Sequence, residues 1–190
     1  MKTADIIRRI AKTDMYPSTR LAGDTHADTI IRLKSELGRR DIPWRLKPAS
    51  SLSPYSATVT PTELLLPVDW RGLSSESQAG ILWHELTHYL DGDYMTRNFS
   101  RPKWWKARRN LVWWARYVSP AWRVIGECRA YGAGIQYSLH MDDITKRGAR
   151  DRVQALPEHL MRKYMVPWTM RAENLHDVVT TGLYSALKLH

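Results

Sequence analysis

The sequence predicts an α+β fold in which a small mixed β-sheet is followed by one long helix and then by further helices. Apolar residues recur at helical spacing in three stretches, at 3 to 14, 24 to 40 and 75 to 90. Between residues 44 and 68, β-branched and apolar clusters alternate with prolines, which is typical of short strands and turns. Helical patterns opened by prolines account for much of the chain beyond residue 100.

The first two predicted helices precede the sheet. Residues 3 to 14 form a short amphipathic pattern, and a second pattern runs from Asp24 to Arg40 and ends before Pro43. The apolar face of the second helix consists of Ala27, Ile30, Leu33 and Leu37. We expect short strands at Ala57 to Thr60 and at Leu64 to Leu66, and the prolines around them favour sheet edges.

The long helix contains the segment His84-Glu85-Leu86-Thr87-His88. It is predicted to begin at Ser75, because Ser75 and Gln78 are spaced as a capping box, and to end at Gly92. Residues four apart lie on one face of a helix, so the two imidazoles can reach one cation while Glu85 lies beside it.

Two interpretations of this segment are open. In the first, His84 and His88 bind a metal ion and Glu85 reaches a metal-bound water. In the second, the helix is solvated and its two histidines are incidental. The apolar stripe of the helix passes through Leu82 and Leu86, so the two histidines and Glu85 are expected at the side of that stripe.

Further helices are predicted at 102 to 117, 119 to 139, 142 to 155, 157 to 165 and 169 to 189. A chain of 190 residues fits a single domain. We expect its core at about 24 to 140 and a C-terminal helical extension at about 141 to 190.

A catalytic zinc site commonly has three protein ligands, so two histidines need a third. The candidates are Asp91, Asp93, Glu127, His140, His159 and His176 downstream and His26 upstream. Asp91 follows His88 by three residues and would lie beside the metal without completing a tetrahedron. Glu127 lies in a helix whose small residues would allow it to pack closely on the motif helix. These small residues are Gly126, Ala130, Ala133 and Gly134.

The segment His84-Glu85-x-x-His88, followed on a later helix by Glu127-x-x-Ala130, resembles the gluzincin branch of the zincin-like metallopeptidases, in particular the small minigluzincins. The resemblance covers about residues 24 to 140, where a helix, a small sheet, the motif helix and the glutamate helix follow in that family's order. It implies a zincin-like fold, with an active-site helix and a glutamate helix, to which this chain adds C-terminal helices.

The resemblance also implies a function. The chain would be a zinc-dependent metallopeptidase in which His84, His88 and Glu127 bind Zn²⁺ and Glu85 is the general base acting on a zinc-activated water. The strand before the motif helix, at about Glu63 to Val68, would be the sheet edge along which a peptide or protein substrate lies. Many gluzincins carry an acid four residues after the glutamate, where this chain has Tyr131.

The oxyanion formed in such a reaction needs a hydrogen-bond donor besides the metal. We take Tyr131 as this catalytic donor. Tyr89, Tyr137, His140 and His176 stay open as alternatives.

The net charge of +10 is concentrated in residues 97 to 129, which contain nine basic residues and one acid. Within them, residues 102 to 118 combine tryptophans and basic side chains on one predicted helix. We expect this region to attract nucleic acid, an acidic protein or an assembly partner. The alternative is a basic face that contacts only water.

The single cysteine, Cys128, excludes an internal disulfide and fits a reducing compartment. Its position on an apolar helix face predicts a buried thiol rather than a nucleophile. The first residues lack the apolar stretch of a secretion signal, and no apolar run approaches the length of about 20 residues that a membrane helix needs. We therefore expect a cytoplasmic protein, either free or in a viral particle or other assembly.

Three functions are compatible with these observations. The first is the zinc metallopeptidase. The second is a non-catalytic, zinc-binding component of a larger assembly, for example a viral one, with the Trp-rich helix at 102 to 118 as its interface. The third is a peptidase that the basic region recruits to nucleic acid.

Overall fold

The computed structural model describes residues 2–11, 24–60, 62–99, 119–164 and 172–189. Within these ranges it contains six α-helices and three strands in one small mixed sheet, which confirms the predicted α+β class. The helices are α1 (Thr3–Ala11), α2 (His26–Arg39), α3 (Ser75–Phe99), α4 (Pro120–His140), α5 (Lys146–Tyr164) and α6 (Ala172–Leu187). The strands are β1 (Trp44–Leu46), β2 (Thr58–Val59) and β3 (Leu64–Leu66). The predicted helix at 102 to 117 and most of the basic region lie outside the described residues.

The chain divides into two compact units. One is Thr19–Trp113, which contains α2, the sheet and α3. The other joins Met1–Ser18 to Trp114–His190 and contains α1, α4, α5 and α6. Because the compactness of a unit does not decide whether it folds alone, the single domain stays a prediction.

β3 is the central strand of the sheet. β1 pairs with it in parallel, with Trp44 opposite Leu64, and β2 pairs with its other side in antiparallel orientation. The expectation that the strand at about Glu63 to Val68 forms a sheet edge is therefore wrong, because both of its sides bind neighbouring strands. Pro67 follows the last paired residue of β3, so its missing N–H interrupts no hydrogen bond of the sheet.

The apolar faces of α2, α3 and β3 form the core of the sheet unit, and α2 packs on α3. The buried residues include Ile30, Leu33 and Leu37 of α2, Leu64 and Leu66 of β3, and Leu82 and Leu86 of α3. The start of α2 is fixed by a capping box that the sequence interpretation did not include. Thr25 Oγ1 accepts a hydrogen bond from Asp28 N at 3.2 Å, and Asp28 Oδ2 accepts one from Thr25 N at 2.9 Å.

α3 begins at Ser75, as predicted, but its cap and its C-terminal end differ from the prediction. Ser74 Oγ, rather than that of Ser75, accepts a hydrogen bond from the first turn, from Ser77 N at 3.2 Å. Gln78 does not complete a capping box, because its Nε2 donates to the backbone oxygens of Trp70 and Leu73. The helix also continues past Gly92 to Phe99. A glycine inside a helix costs only about 1 kcal/mol relative to alanine, which the following turns outweigh.

In the second unit, α1 packs on α6, and α6 packs on α5. The helices share one apolar core, to which α1 contributes Ile6 and Ile10. The two helices predicted at 142 to 155 and 157 to 165 are one continuous helix, α5, with Pro157 inside it. Proline inside a helix costs about 3 kcal/mol. Val153, Leu156 and Leu160 are buried in the shared core on both sides of Pro157, and their burial offsets that cost.

No helix in the described ranges is both long and apolar enough to cross a membrane.

Candidate metal centre

His84 and His88 face each other on successive turns of α3. Their Nε2 atoms are 3.1 Å apart, and their rings meet edge to face with centroids 4.8 Å apart and an interplanar angle of 81°. Two nitrogens that bind one tetrahedral zinc ion, each about 2.0 Å from it, are about 3.3 Å apart. The pair is therefore spaced as two ligands of one cation would be.

The motif residues are less accessible than the sequence predicted. Only 6% of His88 and 7% of Glu85 is exposed, and His84 is half-buried. The helix is therefore not solvated at this segment, contrary to the second interpretation, and the role of the two histidines stays a prediction. Burial of a carboxylate next to imidazoles costs free energy unless polar partners compensate it, which is a common property of functional sites.

The helix around the histidines is held in a defined position. Leu82 and Leu86 are almost fully buried and anchor α3 in the core of its unit. Thr87, between the histidines, donates its hydroxyl to the carbonyl of Trp83 at 2.8 Å. These contacts fix the part of the α3 backbone from which the two histidines extend.

Glu127 is a buried carboxylate on α4, with 6% of its surface exposed. The next residue, Cys128, is fully buried, as predicted. Burial, together with the negative charge of Glu127, raises the pKa of the Cys128 thiol far above its ordinary value. The thiol therefore stays protonated and unreactive at neutral pH.

Close packing does not explain every small residue of α4. Ala130 and Ala133 are buried, as close packing would require. A Cβ built on Gly134, in contrast, would meet no atom of the described residues within 4 Å. Gly134 therefore makes no close contact with the part of the chain that the structure describes.

Tyr131 lies one helical turn after Glu127 on α4 and contacts α5. Its hydroxyl is 2.7 Å from Nε2 of His159, and the two rings meet edge to face with centroids 5.3 Å apart. Tyr131 is half-buried and His159 is exposed. The sequence presented His159 only as a possible metal ligand, and the structure instead places it against the tyrosine.

The other candidate ligands and donors are distributed over the structure. His140 and His176 are exposed, and His176 Nε2 lies 3.1 Å from Gln154 Oε1. His26 and Asp91 are half-buried, Tyr89 and Tyr137 are buried, and the side chain of Asp93 lies outside the described part of the structure. An exposed imidazole on the surface is a weaker candidate for a metal ligand than the buried carboxylate of Glu127.

Two described residues of the basic region make contacts within the unit that contains α1, α4, α5 and α6. Arg129 Nη1 donates to the carbonyl of Arg9 at 3.3 Å. The guanidinium of Arg9 in turn lies over the ring of Trp122, 4.5 Å from its centroid. Arg129 and Trp122 therefore help to attach α1 to α4.

Comparison with known proteins finds no matching family model, no matching curated protein and no matching solved structure.

Proposed function

We propose that the chain is a zinc-dependent metallopeptidase in which His84, His88 and Glu127 bind the metal ion and Glu85 is the general base. The observation that carries this proposal is the 3.1 Å separation of the two histidine Nε2 atoms. Two imidazoles and one carboxylate are also the ligand set of well-known zinc hydrolases. Glu127 suits the role of the third ligand because it is a buried carboxylate, 6% exposed, in the middle of α4.

When bound, zinc would polarise the scissile carbonyl and lower the pKa of a water molecule to about 7. Glu85 directly follows His84, and its carboxylate accepts the proton of the attacking water and later donates it to the leaving amine. Tyr131 donates a hydrogen bond to the oxyanion that forms on the substrate. Glu85 is a base rather than a ligand, so its removal should stop hydrolysis while the metal stays bound.

The metal ligands can be tested by elemental mass spectrometry on purified protein after zinc repletion and gel filtration. We expect about one zinc per chain in the wild type and a loss of zinc in His84→Ala, His88→Ala and Glu127→Ala. His26→Ala is the matched control, because it removes a half-buried histidine from another helix of the unit that contains His84. A wild type without zinc after repletion would contradict the proposal. Zinc retained by Glu127→Ala would mean that a residue other than Glu127 is the third ligand.

Catalysis requires a separate measurement, which is cleavage of a mixed peptide library analysed by mass spectrometry. We expect the wild type to cleave peptides, a chelator to stop cleavage and zinc to restore it. Glu85→Gln should keep its zinc and lose cleavage, whereas Glu76→Gln, an exposed change in the first turn of the same helix, should keep both. Stoichiometric zinc without cleavage in any form would exclude the peptidase and favour a structural zinc site in a larger assembly.

A further inference from the structure

We infer that His159 is a positioning residue for Tyr131: its Nε2–H donates to the phenol oxygen, so that the hydroxyl proton of Tyr131 is directed at the oxyanion of the substrate. This inference rests on the proposed peptidase function. It adds to the proposed site a residue that acts through Tyr131. It concerns a histidine that the metal centre does not use.

The position of Tyr131 on α4 supports the inference. Residues four apart lie on the same face of a helix, and helical side chains lean toward the helix N-terminus. The ring of Tyr131 therefore leans over the turn that carries Glu127. The spacing therefore puts Tyr131 on the face of α4 that carries the proposed third ligand, which is the side of the helix where a donor to the oxyanion is needed.

The contact with His159 restricts the hydroxyl. The distance of 2.7 Å between Tyr131 Oη and His159 Nε2 is a short hydrogen bond, and the edge-to-face contact between the rings fixes their relative orientation. The contact joins α4 to α5, which also pack on each other. A tyrosine held between two packed helices loses little further freedom when substrate binds, so its donor is preorganised.

The contact helps catalysis only if His159 is the donor and the phenol oxygen of Tyr131 is the acceptor of their hydrogen bond. A neutral imidazole donates from one nitrogen and accepts at the other. If Nε2 of His159 carries the proton, the imidazole donates to the phenol oxygen and the hydroxyl of Tyr131 stays available to the substrate. If Nδ1 carries it, Tyr131 must donate to Nε2 and cannot also donate to an oxyanion. The inferred role therefore requires the Nε2–H tautomer.

Steady-state kinetics on zinc-loaded protein tests the functional part. We expect Tyr131→Phe to lower kcat by about 100-fold. His159→Leu should lower kcat on the order of 10-fold with KM nearly unchanged, because only the transition state contacts the hydroxyl. His159→Gln should restore most of the rate, since its amide can donate to the phenol oxygen. In the Tyr131→Phe background, His159→Leu should have almost no further effect.

Gln154→Leu is the matched control. Gln154 also lies on α5, is exposed, and donates from Nε2 to the hydroxyl of a half-buried tyrosine, Tyr184, at 2.7 Å. This variant loses a hydrogen bond of the same kind, together with the contact between Gln154 Oε1 and His176 Nε2, and should still keep the wild-type kcat. An equal loss in Gln154→Leu and His159→Leu would show a general effect on the helices and overturn the inference. Additive losses for Tyr131→Phe and His159→Leu would overturn it too.

The tautomer can be measured directly by nitrogen NMR of the histidine side chains. We expect His159 to carry its proton on Nε2 in the wild type, and we expect its Nε2–H signal to shift in Tyr131→Phe. A proton on Nδ1 would overturn the inference while leaving the peptidase proposal intact. A wild type that binds zinc but cleaves no peptide overturns both, so the two failures can be distinguished.

Discussion

Ile10 of α1 lies so close to Gly182 of α6 that a Cβ built on residue 182 would meet the Cβ and Cγ2 atoms of Ile10 at 2.8 Å. Real Cβ atoms almost never come so close to their neighbours. The absence of a side chain at position 182 therefore sets the distance between the two helices. Because Ile10 is itself fully buried, neither side of the contact has room to move.

Gly182→Ala should destabilise the protein by roughly 1 to 3 kcal/mol, since the added methyl group overpacks the contact with Ile10. The free energy of unfolding in urea measures the effect. Gly134→Ala is the control, because the added methyl group there meets no atom of the described residues within 4 Å. It should raise the free energy of unfolding by up to about 1 kcal/mol through helix propensity. Equal changes in the free energy of unfolding for Gly182→Ala and Gly134→Ala would refute the close contact between Ile10 and Gly182.

Lys47 fixes the loop between β1 and β2. It is 8% exposed, and its ammonium donates to Ser53 O at 3.2 Å, Ser56 Oγ at 3.3 Å and Thr58 Oγ1 at 2.8 Å. Lys47→Met keeps the apolar stem but leaves these acceptors without the ammonium, which should cost roughly 1 to 3 kcal/mol. Chymotrypsin should then cleave the loop faster, at the exposed side chains of residues 52 and 55.

The control for Lys47 is Lys34→Met. Lys34 lies with its Nζ 4.7 Å from the ring centroid of Trp44, and loss of such a contact costs about 1 kcal/mol or less. The rate of loop cleavage should not change. A loop that is cleaved at the same rate in Lys47→Met as in Lys34→Met would show that the ammonium does not order it.

The stability that the capping box of α2 contributes should depend on pH. Hydrogen bonds from the side chain and then from the backbone of Thr25 lower the pKa of Asp28 below 3.8. The charged carboxylate therefore contributes its stabilisation in full above about pH 4, and the contribution is lost as the pH falls through the folded-state pKa. Thr25→Ala removes the hydroxyl donor, so NMR titration should show the pKa of Asp28 raised. Thr25→Ser, which keeps the hydroxyl, should leave the pKa as in the wild type.

Zinc should stabilise the folded chain because only the folded state brings the imidazoles of His84 and His88 together. At a free zinc concentration of 100 times Kd, the gain is about 2.7 kcal/mol. Thermal unfolding with and without zinc should show a higher Tm in the wild type, in Glu85→Gln and in His26→Ala. The increase should disappear in His84→Ala. An unchanged increase in that variant would mean that zinc binds elsewhere.

The histidine pair could be predicted from the sequence because its geometry is local. A spacing of four residues within a helix brings two side chains onto one face, whatever surrounds the helix. The α4 helix was predictable for the same reason, and Ser119 and Pro120 begin it as expected. The contact between Tyr131 and His159 was not predictable, because 28 residues separate them and the contact depends on how α4 packs on α5.

The errors arose where local signals competed with packing. Gly92 and Pro157 both indicate helix ends, and both lie inside helices. Their local costs of about 1 and 3 kcal/mol are smaller than the gain from the buried apolar residues and hydrogen bonds of the continuing helix. The central position of β3 was also missed, because strand order depends on pairing between distant segments, which periodicity does not encode.

The α1 helix belongs to the same compact unit as α4, α5 and α6, although the whole sheet unit lies between them in the chain. During synthesis, α1 is therefore made long before its partner α6, whereas all elements of the sheet unit are made consecutively. In ribosome-bound chains that end before residue 172, hydrogen exchange should find α2 and α3 protected and α1 open. Until α6 emerges, Ile6 and Ile10 expose an apolar surface, which should make α1 a target for chaperones in the nascent chain.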